Sequence, residues 1–167
     1  MIKKLCIVSV TLSLLAVYIP SAFSQPSGVV IGGDFITVKP EMHVRQRQAL
    51  MVSAAKFLFP LVPMALGKSA YDPVVVARNA LYLDSLNKMP WDNFVESTVG
   101  VQNTNALPEI YKDRAKFNAA IENYKIAVDR LVVVSKSKDE ASGKAAISEV
   151  SKACGSCHGT FRARGKL

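Results

Sequence analysis

The chain runs to 167 residues with a formal charge of +8, and 50% of its side chains are hydrophobic. Its lysines and arginines are spread along the sequence without a basic cluster interleaved with aromatics, so the charge describes a solvated surface and argues against a nucleic-acid face. Three cysteines are too few for a disulfide framework, so stability must come from packing and from whatever the chain binds.

Residues 1–24 have the layout of an export signal peptide. Lys3 and Lys4 form the positive end, Leu5 to Ile19 is the apolar run, and Ala22-Phe23-Ser24 is a small-residue cleavage site before Gln25. The run is short for a membrane span, which needs about 20 residues, and Pro20 closes it. The expected product is an exported protein with no membrane attachment after cleavage. Cleavage removes two lysines and Cys6, leaving 143 residues with 19 basic and 13 acidic side chains, a charge of +6. That is one ordinary domain with enough chain for a proper core.

Residues 25–38 carry Gly28, Gly32 and Gly33 among short apolar residues and read as an extended lead-in. The domain proper is expected over residues 39–167. Lys39-Pro40-Glu41 starts a first helix, with proline at the first helical position and an acid facing the helix dipole. Val44, Met51, Ala55, Leu58 and Val62 form one helical face. Pro60 and Pro63 predict a kink or a tightened last turn, and Gly67 a stop. Asp72-Pro73 starts a second helix that runs to about Asn87, and its dense apolar residues suggest burial on more than one side.

No helical period is visible from Lys88 to Leu107, yet this long connection holds the lone tryptophan, Trp91, and also Phe94. Pro108-Glu109-Ile110 opens a third helix striped by Ile110, Phe117, Ile121, Tyr124, Val128 and Leu131. Polar residues from Ser137 to Gly143 break the pattern. A fourth helix follows with Ile147, Val150, Cys154, Cys157 and Phe161 on one stripe.

That last stripe contains Cys154-Gly155-Ser156-Cys157-His158, the attachment pattern for a covalently bound c-type haem. Residues three apart on a helix are neighbours, so both sulfurs can reach one group, and the adjacent imidazole can serve as an axial iron ligand. A redox disulfide would need a strand-rich βαβ setting, and a zinc site would need two more ligands, which Cys6 and His43 cannot supply. Arg162 follows His158 by one turn and can pack against its imidazole.

Four amphipathic helices with the haem motif near the C-terminus resemble the class II cytochromes c, most closely the cytochrome c prime family. The resemblance is carried by the pentapeptide with Arg162, by Arg47-Gln48-Ala49-Leu50-Met51 and Tyr71-Asp72, and by Pro90-Trp91-Asp92-Asn93-Phe94 and Pro108-Glu109-Ile110-Tyr111. It implies an all-α, antiparallel up-down-up-down four-helix bundle that is periplasmic, commonly homodimeric, and holds one haem c with its iron. It further implies thioether links at Cys154 and Cys157 and a proximal ligand at His158, with Arg162 beside that ligand. Arg47 is placed near a haem propionate, Trp91 and Phe94 against the haem, and Met51 on the other side of the iron. The glycine-rich lead-in and the extra length between Phe94 and Pro108 depart from the family pattern.

Met51 divides the functional expectation. If its sulfur binds iron, the protein is a six-coordinate electron carrier, and a Met/His pair raises the potential. If it only packs there, the iron is five-coordinate and open to a small gas such as nitric oxide or carbon monoxide. The long connection from Trp91 to Leu107 and the Pro-Glu-Ile helix start resemble cytochrome c prime more than its low-spin relatives, and that resemblance implies the five-coordinate form. Met42, Met64 and Met89 are poorer candidates. A redox partner protein in the periplasm is expected, and the +6 charge suits an acidic one. Peroxidase chemistry is disfavoured, because His43 precedes Arg47 by one turn but lies off the helix stripe, and the protein reads as a haem carrier and not an enzyme.

Overall fold

A proline at the first residue of a helix costs nothing, and α1 begins on one: the helix spans Pro40–Leu58, with Lys39 extended before it. The structure is a computed structural model that describes residues 28–31 and 34–164, with side chains from residue 37 onward. The expected signal peptide, residues 1–24, lies outside the described residues. The chain divides into two compact units after residue 36. In the first, the extended lead-in forms two strands, Gly28–Ile31 (β1) and Asp34–Thr37 (β2), paired in a two-stranded sheet.

The second unit is the expected four-helix bundle. Its long helices are α1, α3 (Pro73–Asn87), α5 (Arg114–Ser135) and α6 (Glu140–Phe161). The two prolines after α1 divide the chain rather than kink it. Pro60 cannot donate to the Lys56 carbonyl, so α1 ends at Leu58 and a short separate helix, α2, spans Leu61–Ala65. Gly67 then takes a φ of 68°, which turns the chain so that Lys68 and Ser69 donate to the Pro63 carbonyl. Asp72 caps α3 by accepting from the Val74 and Val75 amides at 2.9 and 3.1 Å.

Two sequence expectations are corrected. The third helix does not start once: Pro108 opens a single turn, α4 (Glu109–Lys112), and Asp113 at φ −123° interrupts it before capping α5 through Lys116 N. The break expected from Ser137 to Gly143 is shorter, because Asp139 caps the Ser142 amide and α6 starts at Glu140. Lys138, at φ 60°, turns the chain between the two antiparallel helices. Within the single chain, α3 buries one side. Val76, Ala80 and Leu83 enter the core, while Val74, Leu81 and Tyr82 are exposed.

Every member of the third-helix stripe is buried. It serves two adjoining clusters. Tyr124, Val128 and Leu131 join Leu58, Leu61, Leu83, Ile147 and Val150 at one end of the bundle. Ile110, Phe117 and Ile121 join Phe94 and Phe161 at the other, with Trp91 against both. The connection from Lys88 to Leu107 contains two 3-10 turns, Trp91–Asn93 and Glu96–Thr98. It is fastened to the end of α6, where Leu107 donates to the Phe161 carbonyl and Ala163 to that of Asn105. On its other side Gln48 of α1 donates to the Asn103 carbonyl at 2.8 Å.

Candidate functional site

The stripe positions on α6 that face neither core cluster completely are Cys154 and Cys157, both half-buried free thiols. They lie on the wall of a groove of about 600 Å³ flanked by α1 and α6, with Trp91, Phe94, Phe117 and Tyr124 also lining it. All eight residues singled out from the sequence line this one groove: Arg47, Met51, Trp91, Phe94, Cys154, Cys157, His158 and Arg162. The lining is mostly apolar, and its only full charges are the two arginines.

The chemistry of the thiols separates this site from a thiolate centre. Burial, and then the neighbouring Cys157, push Cys154 up to about 11, and burial raises Cys157 as well. Both are thiols at neutral pH, unlike the low-pKa cysteines of redox nucleophiles. Among the described residues no three His, Cys, Asp or Glu side chains gather to hold a metal ion by themselves. The Tyr124 hydroxyl, pushed well above its ordinary range by burial and by Cys154, is also neutral.

His158 opens to solvent on one side, yet burial and then the Arg162 cation lower its pKa, so the imidazole is neutral at pH 7 and able to ligate. Arg162 is kept beside it by the helix end: its amide donates to the His158 carbonyl at 3.2 Å, and it bridges to Ala106.

Arg47 is the most constrained of the eight. It is 3% exposed and lies with its Cζ 4.7 Å from the Phe94 ring centroid. Nη1 is shared among the Asn93 carbonyl, Thr98 Oγ1 and the Tyr111 hydroxyl, at 3.1, 3.0 and 3.3 Å. Nη2 donates to Thr104 Oγ1 at 3.1 Å. Because Thr98 gives its own proton to the Val95 carbonyl, Tyr111 must donate to Thr98, and the network has one consistent direction. All the acceptors are neutral, and among the described residues no carboxylate pairs with Arg47. Of its five N–H donors, Nε and one on Nη2 have no protein acceptor there. A buried cation of this kind calls for an anion, and the planar edge Nε/Nη2 suits a carboxylate.

These observations fit a haem c. The groove offers two sulfurs, an imidazole, aromatic walls and one unpaired guanidinium for a carboxylate side chain. Met51 also lines it and packs in the same cluster as Cys157. His43 does not line the groove. It meets Asn93 instead, and so has no part in the site that a peroxidase reading would need. Sequence reasoning missed the shell of Arg47, namely Thr98, Thr104 and the hydroxyl of Tyr111. Those residues lie on an aperiodic connection and in a one-turn helix, where spacing carries no signal.

Comparison with known proteins agrees with this geometry. The family model for Cytochrome C' matches residues 42–162. A cytochrome c' of Rubrivivax gelatinosus is 34% identical over 74% of this chain and 96% of its own. Its crystal structure superposes with a TM-score of 0.70. A cytochrome c-556 of Rhodopseudomonas palustris is 32% identical over 80% of this chain and 95% of its own. The nitric oxide complex of a variant cytochrome c prime from Alcaligenes xylosoxidans, 26% identical, covers 78% of this chain and all of its own at a TM-score of 0.71.

Proposed function

Because the chain belongs to the cytochrome c' family, whose members carry covalent haem c and are not enzymes, we propose that it is a periplasmic haem protein that binds a small gas at a five-coordinate iron. The observation that carries this reading is the convergence of all eight sequence-predicted residues on one apolar groove. When bound, the haem supplies one-electron chemistry at iron and a place for a diatomic ligand.

The roles of the chain's own residues follow from the donor set. Cys154 and Cys157 supply the thioether sulfurs, and their neutral thiols suit addition to vinyl groups after export. His158 is the proximal ligand, kept neutral by its surroundings, and Arg162 holds it from one side. Arg47 takes a haem carboxylate on its free Nε/Nη2 edge, with Thr98, Thr104 and Tyr111 fixing its orientation. Trp91 and Phe94 pack against the ring. Met51 and its apolar neighbours exclude water from the opposite side and admit only small uncharged molecules. Cytochrome c prime structures with nitric oxide and with carbon monoxide bound support this class of ligand.

A second reading makes Met51 the sixth ligand and the protein purely an electron carrier. It is favoured by the position of Met51 in the same aromatic cluster as Cys157. The optical spectrum of the purified protein, oxidised and reduced, with and without carbon monoxide, separates the two. A high-spin spectrum that shifts with the gas is the expected result, and a low-spin spectrum that ignores it transfers the function to electron carriage.

Export rests on the layout of residues 1–24. A homodimer is supported by Phe59, Leu66, Val74 and Leu81, exposed apolar residues on or after α1 and on α3. Leu81→Glu is expected to halve the mass in sedimentation. The redox partner is an acidic periplasmic protein, matched to the +6 mature chain.

A further inference from the structure

Arg47 stands in the wall between two spaces. One is the groove, and the other is a chamber of about 200 Å³ beside it, lined by Arg47, Thr98, Gly100, Thr104 and Tyr111 together with small apolar residues. Arg47, Thr104 and Ala106 line both. Much of the remaining wall is residues 98–101 of the long connection, whose length departs from the family pattern. Among the residues lining the chamber, Arg47 is the one charged side chain. Three of its four acceptors, Thr98, Thr104 and Tyr111, are chamber residues, so the Nη end of the guanidinium reaches this space.

An account of the protons shows what the chamber lacks. Thr98 gives its proton to the Val95 carbonyl, and Tyr111 gives its own to Thr98. Thr104 Oγ1 accepts from Arg47 Nη2 at 3.1 Å and from the Ala106 amide at 3.2 Å, which spends both of its lone pairs. Its own proton has no acceptor among the described residues. The Gly100 amide likewise donates to no protein group there. A cation 3% exposed, with no carboxylate beside it and with unspent donors around it, leaves the chamber short of acceptors and of negative charge. Glu96 and Glu109 are close in sequence, but both are exposed and neither lines the chamber, and Glu109 pairs with Lys112 at 3.8 Å.

We propose that this chamber is a binding site for a small monovalent oxyanion, drawn by the charge of Arg47 and held by the hydroxyl of Thr104. The volume sets the class: it admits an ion the size of formate, nitrate or bicarbonate with a few waters, and it excludes nucleotides and sugar phosphates. A guanidinium can face anions on two edges. Nε/Nη2 is left for the haem carboxylate in the groove, and the Nη end supplies the field in the chamber. The site therefore goes beyond the haem reading and does not depend on what fills the sixth position of the iron.

The test uses the haem-loaded protein, reduced and under carbon monoxide, so that the iron has no position to offer the ion under either reading of Met51. Nitrate is the probe, titrated in a calorimeter at constant ionic strength into the parent, Thr104→Ser, Thr104→Val and Val101→Glu. One saturable site is expected in the parent, kept within a few-fold in Thr104→Ser, which retains the hydroxyl. Thr104→Val, which removes it, is expected to bind on the order of tenfold more weakly. Val101→Glu leaves Arg47 and its acceptors in place and supplies the chamber with a carboxylate of the chain's own, so it is expected to abolish binding. No saturable heat in the parent overturns the proposal. Parental affinity in Thr104→Val or in Val101→Glu also overturns it and makes the nitrate an adventitious ion only. Failure of the haem reading shows separately, as missing pigment in the visible spectrum.

Discussion

The guanidinium carbon of Arg47 stands 4.7 Å from the centre of the Phe94 ring, so a cation 3% exposed and an aromatic face form one wall of the groove. The ring quadrupole attracts the cation, and four neutral oxygens accept from Nη1 and Nη2, leaving the Nε/Nη2 edge open. Arg47→Met leaves those oxygens without their donor and is expected to cost about 1–3 kcal/mol, read from the urea midpoint. Arg47→Lys recovers only part of this, because an ammonium cannot reproduce the planar fork. A parental midpoint in Arg47→Met would mean that the network carries no stability.

Phe117 meets Phe94 at 5.1 Å and Phe161 edge-on at 5.2 Å, and all three are buried. Truncating it to alanine opens a hole that three elements would have to close. Phe117→Ala is expected to lower stability by about 3–5 kcal/mol. Denaturant unfolding followed by circular dichroism checks this, with a loss below about 1 kcal/mol contradicting its core position.

Tyr71 lies directly against Gly143 of α6. A Cβ there would overlap its hydroxyl and fall 2.7 Å from Cζ, so the ring must swing away. Glycine to alanine inside a helix ordinarily gains about 0.5–1 kcal/mol. Here Gly143→Ala is expected to destabilise, and the same substitution in a Tyr71→Ala background to stabilise. Thermal unfolding of the four combinations is the measurement, and equal effects in both backgrounds would refute the close approach.

Asp139 caps the Ser142 amide, and those hydrogen bonds hold its carboxyl below the ordinary value of 3.8. A depressed acid stabilises the fold above its unfolded pKa and loses that contribution as pH falls through the folded one. Asp139→Ala should therefore be less stable than the parent at neutral pH, with the two curves converging below about pH 3.8. A gap that persists unchanged at the lowest pH would show that the carboxylate charge plays no part.

The two thioethers proposed at Cys154 and Cys157 predict two grades of loss. Cys157→Ala should keep a weakened pigment on the chain through denaturing electrophoresis, and the double variant with Cys154→Ala should keep none. Pigment at parental strength in the single variant would remove Cys157 from the attachment.

The sequence by itself determined the bundle and the position of the Cys-x-x-Cys-His motif on its last helix. Stripes such as Ile110 to Leu131 repeat at helical spacing because one face must leave water, and the pentapeptide is contiguous, so its spacing is its geometry. Periodicity could not show that α4 and α5 are separate, since Asp113 changes the backbone without changing the apolar register. It also could not show which apolar positions of α3 stay exposed, because that depends on which neighbours are present. Only the tertiary structure brought Arg47 of α1 to Thr98, Thr104 and Tyr111, residues 51, 57 and 64 positions away. Such contacts arise from chain crossings on an aperiodic connection, and no local pattern encodes them. The same crossing set His43 on Asn93, 50 positions on, and decided that this histidine meets the facing turn rather than lining the groove.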